Sequence, residues 1–291
     1  MPTGDRVRLS WNNVPPGTMD SLLMVETTQF QDAEKYSEYL RTFSGRLRSD
    51  LAWENLQAFL PDPAGERRVL DLGGGTGAIS VRLARQGFQV VLLDSSEEML
   101  GIARKEAESS GVAKRIAFRQ AEASQLHELF EAQSFDVVVC HNLLEYVADP
   151  SSIICGIPYV LRKDGIFSLL VRNRSGEVLK AAIKSPDLRI AKDNLSAQTT
   201  VDSLYGKPVR MFDAAHVVQM LANANLGVIS ECGVRVFSDY RDLADPDAET
   251  YRHLLELEIT LGSQPQFAAV ARYIQIIARH SRAAQVSEKS T

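Results

Sequence analysis

Short apolar runs separated by amphipathic stretches dominate the middle of the chain. Val69-Leu70-Asp71-Leu72, Val90-Val91-Leu92-Leu93, Phe135 to Val139 and Ile166 to Val171 are each of strand length, and Gly165 starts the last of them. Strand and helix patterns alternate from Arg68 to Val171, which predicts a parallel sheet covered on both faces. Upstream, residues 20–60 read as helical, with Leu47, Leu51, Leu56 and Phe59 near one face and Pro61-x-Pro63 as the stop. Residues 1–17, with Pro15-Pro16-Gly17, read as a mobile arm. The roughly 40 residues 173–212 are too long for an ordinary connection and predict a cap with helices of its own. A helix near Asp213 to Ala224 and strands over Leu226 to Val236 and Arg272 to Ala278 complete the pattern. The expected layout is one α/β domain over 18–280: a helical segment 18–65, a core 66–172, the cap, and C-terminal strands and helices 213–280. Residues 281–291 are expected to be a disordered tail.

The turn after the first strand carries the candidate chemistry. Gly73, Gly75 and Gly77 alternate behind Asp71, a spacing that lets backbone approach a ligand where a Cβ would block it. Gly73-x-Gly75-x-x-Ala78 formally satisfies a dinucleotide fingerprint, so the glycines alone leave the ligand open. Asp71 weighs against a pyrophosphate, which it would repel, and favours a ligand with an ammonium group. Asp94 closes the second strand, where such folds place a carboxylate on a ribose. Asp71-x-Gly73-x-Gly75-x-Gly77 resembles motif I of the class I S-adenosylmethionine (SAM) methyltransferases. Further segments resemble that family in order. Ser95-x-x-Glu98 has capping-box spacing, Met99 follows on the helix where a side chain packs on adenine, and Glu122-Ala123 stands in the adenine-binding segment. His141 ends the fourth strand. The resemblance implies a Rossmann-like α/β fold with a seven-stranded sheet in the order 3-2-1-4-5-7-6. Asp71, Gly73, Gly74, Gly75, Asp94, Met99, Glu122 and Ala123 would contact the cofactor.

Composition narrows the class without naming an acceptor. The chain has 291 residues, a net charge of −5 and three cysteines with no C-x-x-C pair. That argues against a disulfide framework or a zinc site, and no metal is expected. No apolar stretch reaches 18 residues and the polar start does not read as a signal peptide, so a cytoplasmic enzyme is expected.

Three segments outside the core add a finer likeness. Gly45 to Trp53, His141 to Pro150, and Gly233 to Tyr240 with the stretches after it resemble the bacterial tRNA 5-carboxymethoxyuridine methyltransferases, over about residues 30–280. That likeness implies methyl esterification of a carboxymethoxy group on the wobble uridine of tRNA. It puts Arg48, Gly73, Gly74, Asp94, Ala123 and His141 on SAM, Arg48 gripping the methionine carboxylate. An ionised carboxylate needs no general base, so His141 is expected as a cofactor contact, with a base or a packed ring as its other readings. Arg235 and Tyr240, with Arg172 and Asn173, are candidate anchors of the acceptor.

The chain also departs from that family. It lacks a lysine run in the cap and has Ser238 where the family motif has histidine. Residues 162–213 nevertheless hold ten Lys/Arg against six Asp/Glu, a basic island in an acidic chain. A small-molecule O- or N-methyltransferase is therefore the main alternative. An NAD(P)-dependent oxidoreductase and a catalytically silent SAM-binding module stand behind it.

Overall fold

A computed structural model describes residues 33–241 and 246–280. The expected arm at 1–17 and tail at 281–291 lie outside the described residues. The chain opens with α1 (Ala33–Arg41) and α2 (Phe43–Gln57), then β1 (Arg68–Leu72), α3 (Ala78–Arg85), β2 (Gln89–Asp94), α4 (Glu97–Ser109) and β3 (Ile116–Gln120). There follow α5 (Leu126–Leu129), β4 (Phe135–His141), α6 (Pro150–Val160) and β5 (Leu161–Arg172). The cap comprises α7 (Arg174–Lys184), α8 (Leu188–Asn194) and a hairpin of β6 (Thr199–Val201) and β7 (Pro208–Arg210). Then come α9 (Ala214–Asn223), β8 (Leu226–Val234), α10 (Ala248–Gly262), α11 (Pro265–Ala268) and β9 (Tyr273–His280).

The seven-stranded sheet runs β3-β2-β1-β4-β5-β9-β8. Its first five strands are parallel, and β9 pairs antiparallel with both β5 and β8. With the hairpin strands left out of the count, this is the order expected from the sequence. Successive side chains of a strand point to opposite faces, so β1 and β4 feed two cores. Leu70, Leu72, Val138 and Cys140 pack with Ile153 and Ile157 of α6 and Leu221 of α9. Val69, Val137 and Val139 pack with Leu83 of α3, Leu100 of α4 and Trp53 of α2.

Two sequence expectations shift. Of the segment expected to be helical before the core, residues 18–32 lie outside the described residues, and the rest holds two helices because Thr42 breaks it: its hydroxyl donates to the Tyr39 carbonyl (2.6 Å) and accepts the Gly45 amide (3.2 Å), capping α2. Gly45 makes the corner possible, since a Cβ there would stand 2.0 Å from the Tyr39 carbonyl oxygen. The fifth strand begins at Leu161 rather than Gly165, because Leu161 already pairs with Phe135 before the register shifts. A third cluster, Leu47, Leu51 and Ala52 of α2 with Leu254 of α10 and Tyr273 of β9, binds the N-terminal helices to the antiparallel side of the sheet. Thus α2 lies over the carboxyl ends of the strands, as an integral wall.

Candidate active site

The strand ends open into one crevice, and its glycine side follows from backbone geometry. Gly73, Gly75 and Gly77 all adopt positive φ (69°, 54° and 79°), a region costly for other residues. The amides of Gly73 and Gly74 donate to the Leu93 carbonyl at 2.8 and 3.2 Å, which ties the turn to β2. A Cβ on Gly74 would lie 2.7 Å from Leu92 and 2.8 Å from the Asp71 carboxyl; one on Gly73 would lie 2.8 Å from Leu143. At Gly75 a Cβ would meet only ordinary contacts, Tyr36 at 3.8 Å and the Met99 sulfur at 4.0 Å, so its positive φ and not crowding is what calls for glycine there.

Two carboxylates flank this turn. Asp71 is buried and accepts the Ser80 hydroxyl at 2.7 Å. Burial pushes its carboxyl up to about 6, the Ser80 bond opposing and the Asp94 charge adding to the shift. Asp94 accepts the Gly75 amide and the Ser96 amide, each at 2.9 Å, yet burial still raises it. The cap of α4 is Ser96, whose hydroxyl accepts the Met99 amide at 3.2 Å. The expected Ser95–Glu98 capping box does not form. Asp94 draws Ser96 into the cap position by binding its amide, and Glu98 is left exposed in the first turn. Met99 is buried at the crevice wall. Glu122 and Ala123 also line it, although Glu122 forms a reciprocal capping pair with Gln125.

The opposite wall is cationic. Arg48 of α2 is buried, with its guanidinium 5.0 to 5.7 Å from the rings of Tyr39, Tyr36 and Tyr273. It donates to the Tyr36 hydroxyl at 2.9 Å, and among the described residues no carboxylate pairs with it. Arg172 at the end of β5 pairs with Glu177 (2.7 Å) and with Asp202 (2.6 Å) of the cap hairpin. Arg272 pairs with Glu177 (2.5 Å) and Asp239 (2.7 Å). Arg235, at positive φ (62°), pairs with Asp239 and donates to the Tyr39 hydroxyl at 3.2 Å. Glu258 holds that segment by accepting the amides of Val236, Phe237 and Ser238. Burial would raise the Tyr273 phenol, but Arg172, Arg48, Arg272 and Arg235 outweigh it and hold the group at about 8. Lys180 of α7 also lines the crevice, its ammonium pushed down by burial and by Arg272.

His141 sits between the two walls. Its Nε2 lies 2.8 Å from the Ser168 hydroxyl, and burial with the Arg48 charge pushes the imidazole down to about 3. The ring is therefore neutral at physiological pH.

The structure thus gathers Arg48, Asp71, Gly73, Gly74, Gly75, Asp94, Met99, Glu122, Ala123, His141 and Arg235 on one crevice. Tyr240 and Asn173 are absent from its lining. Tyr240 sits in the short turn Ser238–Tyr240 with its hydroxyl buried and unpartnered, because the turn aims Asp239 at the arginines instead. Asn173 caps α7 and donates to the carbonyls of Ala269 and Ala271. Sequence reasoning missed Tyr36, Tyr39, Arg272 and Tyr273, and had Lys180 only as one charge of the basic island in the cap. The one available signal was polar Arg272, Tyr273 and Gln275 breaking an otherwise apolar final strand.

Among the described residues no cluster of His, Cys, Asp or Glu could hold a metal ion. None of their helices is long and apolar enough to cross a membrane.

The chain's likeness to known proteins agrees with this geometry. Residues 64–222 match the family model of a methyltransferase domain. The chain is 32% identical over 259 residues to the tRNA 5-carboxymethoxyuridine methyltransferase of Escherichia coli (strain K12), covering 88% of this chain and 97% of that one. A ubiquinone biosynthesis O-methyltransferase of Hahella chejuensis is 41% identical over 109 residues, only 37% of this chain and 44% of the relative. Among solved structures, an S-adenosylmethionine dependent methyltransferase from Mesorhizobium loti has a TM-score of 0.56 at 22% identity, covering 79% of this chain and 97% of that one. The 1,6-didemethyltoxoflavin-N1-methyltransferase of Burkholderia thailandensis, solved with S-adenosylhomocysteine, has a TM-score of 0.53 at 17% identity, covering 93% of each chain. The fold, the family model and the near full-length relative converge: the chain belongs to the SAM-dependent methyltransferases.

Proposed function

We propose that this methyltransferase esterifies a substrate carboxylate, and that its acceptor is 5-carboxymethoxyuridine in tRNA. The supporting observation is the cationic wall beyond Arg48, where Arg172, Arg235, Arg272 and Lys180 line one crevice. These four cations share three ion-paired carboxylates, Glu177, Asp202 and Asp239, an excess of positive charge that favours an anionic ligand. The relative that matches along nearly its full length acts, by its name, on a carboxymethoxyuridine.

The crevice fits SAM. Gly75 lines the crevice with no side chain of its own, Asp94 ends β2 where a ribose would lie, and Met99 supplies an apolar wall for adenine. Asp71 is the carboxylate for the cofactor's ammonium, and Arg48 is the fork for its carboxylate. Bound SAM supplies an electrophilic methyl group on its sulfonium. The acceptor carboxylate is assigned to Arg235 and to Arg172, Arg272 and Lys180 beside it. Arg172 and Arg272 are held by shared carboxylates, so they are oriented before any ligand arrives. The protein aligns an already ionised oxygen, excludes water and stabilises charge; it has no proton to remove.

Methylation of tRNA from a strain lacking the ester, read by nucleoside mass spectrometry, tests this. The methyl ester of 5-carboxymethoxyuridine is the expected product. Transfer only to a hydroxylated or amino metabolite would overturn the proposal and favour the small-molecule alternative.

A further inference from the structure

Behind His141 runs a hydrogen-bonded chain that crosses the sheet to α2. Ser168 of β5 is fully buried, and its hydroxyl lies 2.8 Å from His141 Nε2. Gln275 of β9, also buried, donates from Nε2 to that same hydroxyl at 3.3 Å. The same Nε2 donates to the Ala52 carbonyl of α2 at 2.9 Å, while Oε1 accepts from Asn55 at 3.1 Å. A backbone carbonyl only accepts, so Ala52 fixes which end of the Gln275 amide carries the hydrogens. One amide hydrogen goes to Ala52 and the other to Ser168.

This orientation propagates to the histidine. Ser168 already accepts from Gln275, and its own hydrogen has His141 Nε2 as its neighbour. If Nε2 carried a proton, the serine hydroxyl would face two donors and bury its own hydrogen without an acceptor, the arrangement that folded proteins avoid. The consistent pattern is Gln275 to Ser168, then Ser168 to Nε2, with the imidazole proton on Nδ1.

We infer that Ser168 and Gln275 are positioning residues that lock His141 as its Nδ1–H tautomer, so that Nε2 is taken up by the Ser168 hydroxyl and the imidazole keeps no free nitrogen to accept a substrate proton. A site built this way aids oxygens that arrive ionised and gives no help to hydroxyls that must be deprotonated. The link to a carboxylate acceptor rests on the function proposed above; the tautomer does not.

Protein labelled with 15N-histidine tests the tautomer through long-range proton–nitrogen correlations between pH 6 and 8. The signals of His141 are identified by their loss in His141→Gln. The expected pattern is neutral, with the proton on Nδ1 throughout. Ser168→Ala and Gln275→Met should move it toward Nε2–H. Each should also lower kcat for methyl transfer roughly tenfold with little change in the KM for SAM, and Ser168→Thr should restore both tautomer and rate. A Nε2–H or imidazolium pattern in the unmodified protein overturns the inference even if the variants fail to fold. So does a Ser168→Ala protein whose tautomer is unchanged. An Nδ1–H spectrum without transfer to carboxymethoxyuridine would refute the proposed acceptor while leaving this inference standing.

Discussion

Replacing Asp71 with asparagine should make the ligand-free protein more stable at neutral pH while weakening its hold on SAM. The buried carboxyl has its value raised from 3.8 to about 6, mainly by loss of solvation. About two pH units at 1.36 kcal/mol each give a destabilisation of about 3 kcal/mol once the group is ionised in both states. The sign follows from proton counting. Between pH 3.8 and 6 the native state holds this proton and the unfolded chain has released it, so stability falls as pH rises through that window. Below pH 4 the penalty vanishes, and above about 6.5 it is constant. Asparagine stays neutral and its Oδ1 still accepts the Ser80 hydroxyl, but its amide needs an acceptor of its own. The expected net gain at pH 7.5 is therefore about 1–3 kcal/mol, or roughly 2–4 °C per kcal/mol in Tm. Denaturation of both proteins from pH 4 to 8 checks this: the stability of the variant relative to the unsubstituted protein should rise by about 2–3 kcal/mol between pH 4 and 6.5 and then stay constant. An ammonium group beside Asp71 would relieve the penalty, so SAM binding at pH 6 should release a fraction of a proton only in the unsubstituted protein. Calorimetry in buffers of different ionisation enthalpy reads that release. Stability curves that superimpose over the whole range would refute the burial argument.

Asp94→Ala should weaken SAM binding by about 1.5–3 kcal/mol in calorimetry, by removing charge-assisted bonds to the ribose. Arg48→Gln should lower SAM affinity roughly 10- to 100-fold while leaving the fold intact by circular dichroism, since no protein carboxylate loses its partner. With SAM saturating, the rate of methyl transfer to an ionised carboxylate should not rise from about pH 6 to 8, because the acceptor titrates well below that range and His141 is held down at about 3. A rate rising steeply with pH would instead indicate a hydroxyl or amine acceptor. Lys184 and Lys192 are exposed on the cap, so changing both to Ala should flatten the salt dependence of tRNA methylation and leave SAM affinity unchanged.

The cofactor side of the crevice was legible because one strand-turn-helix unit carries most of it. Asp71, the glycines and Asp94 sit within 24 residues, and each obeys a local rule of backbone conformation or strand ending. The cationic side was legible mainly through the family likeness, because no local rule builds it. Arg48, Arg172, Lys180, Arg235 and Arg272 come from α2, β5, α7 and the segments flanking α10, and only the sheet order brings them together. Tyr240 lies off the crevice lining for the same reason. Its neighbours in sequence are right, but the turn around Glu258 sends Asp239 inward in its place. The capping of α4 missed by one residue because Asp94 binds the Ser96 amide, a tertiary preference that spacing alone does not encode.

The place of β9 in the sheet has a consequence for biosynthesis. It lies between β5 and β8 and is the last strand of the described chain, so the sheet has a gap until residues 273–280 have been translated and have emerged from the ribosome. Tyr273 and Gln275 arrive with it, and Arg272 just before. A nascent chain stopped short of them can assemble the five parallel strands and the glycine turn, but it lacks one arginine of the cationic wall and the glutamine behind His141. Domains generally fold as units while the chain is being made. Here the glycine turn is encoded before the last residues of the cationic wall. A premature stop near residue 270 should therefore leave, at most, a nucleoside-binding fragment that does not turn over.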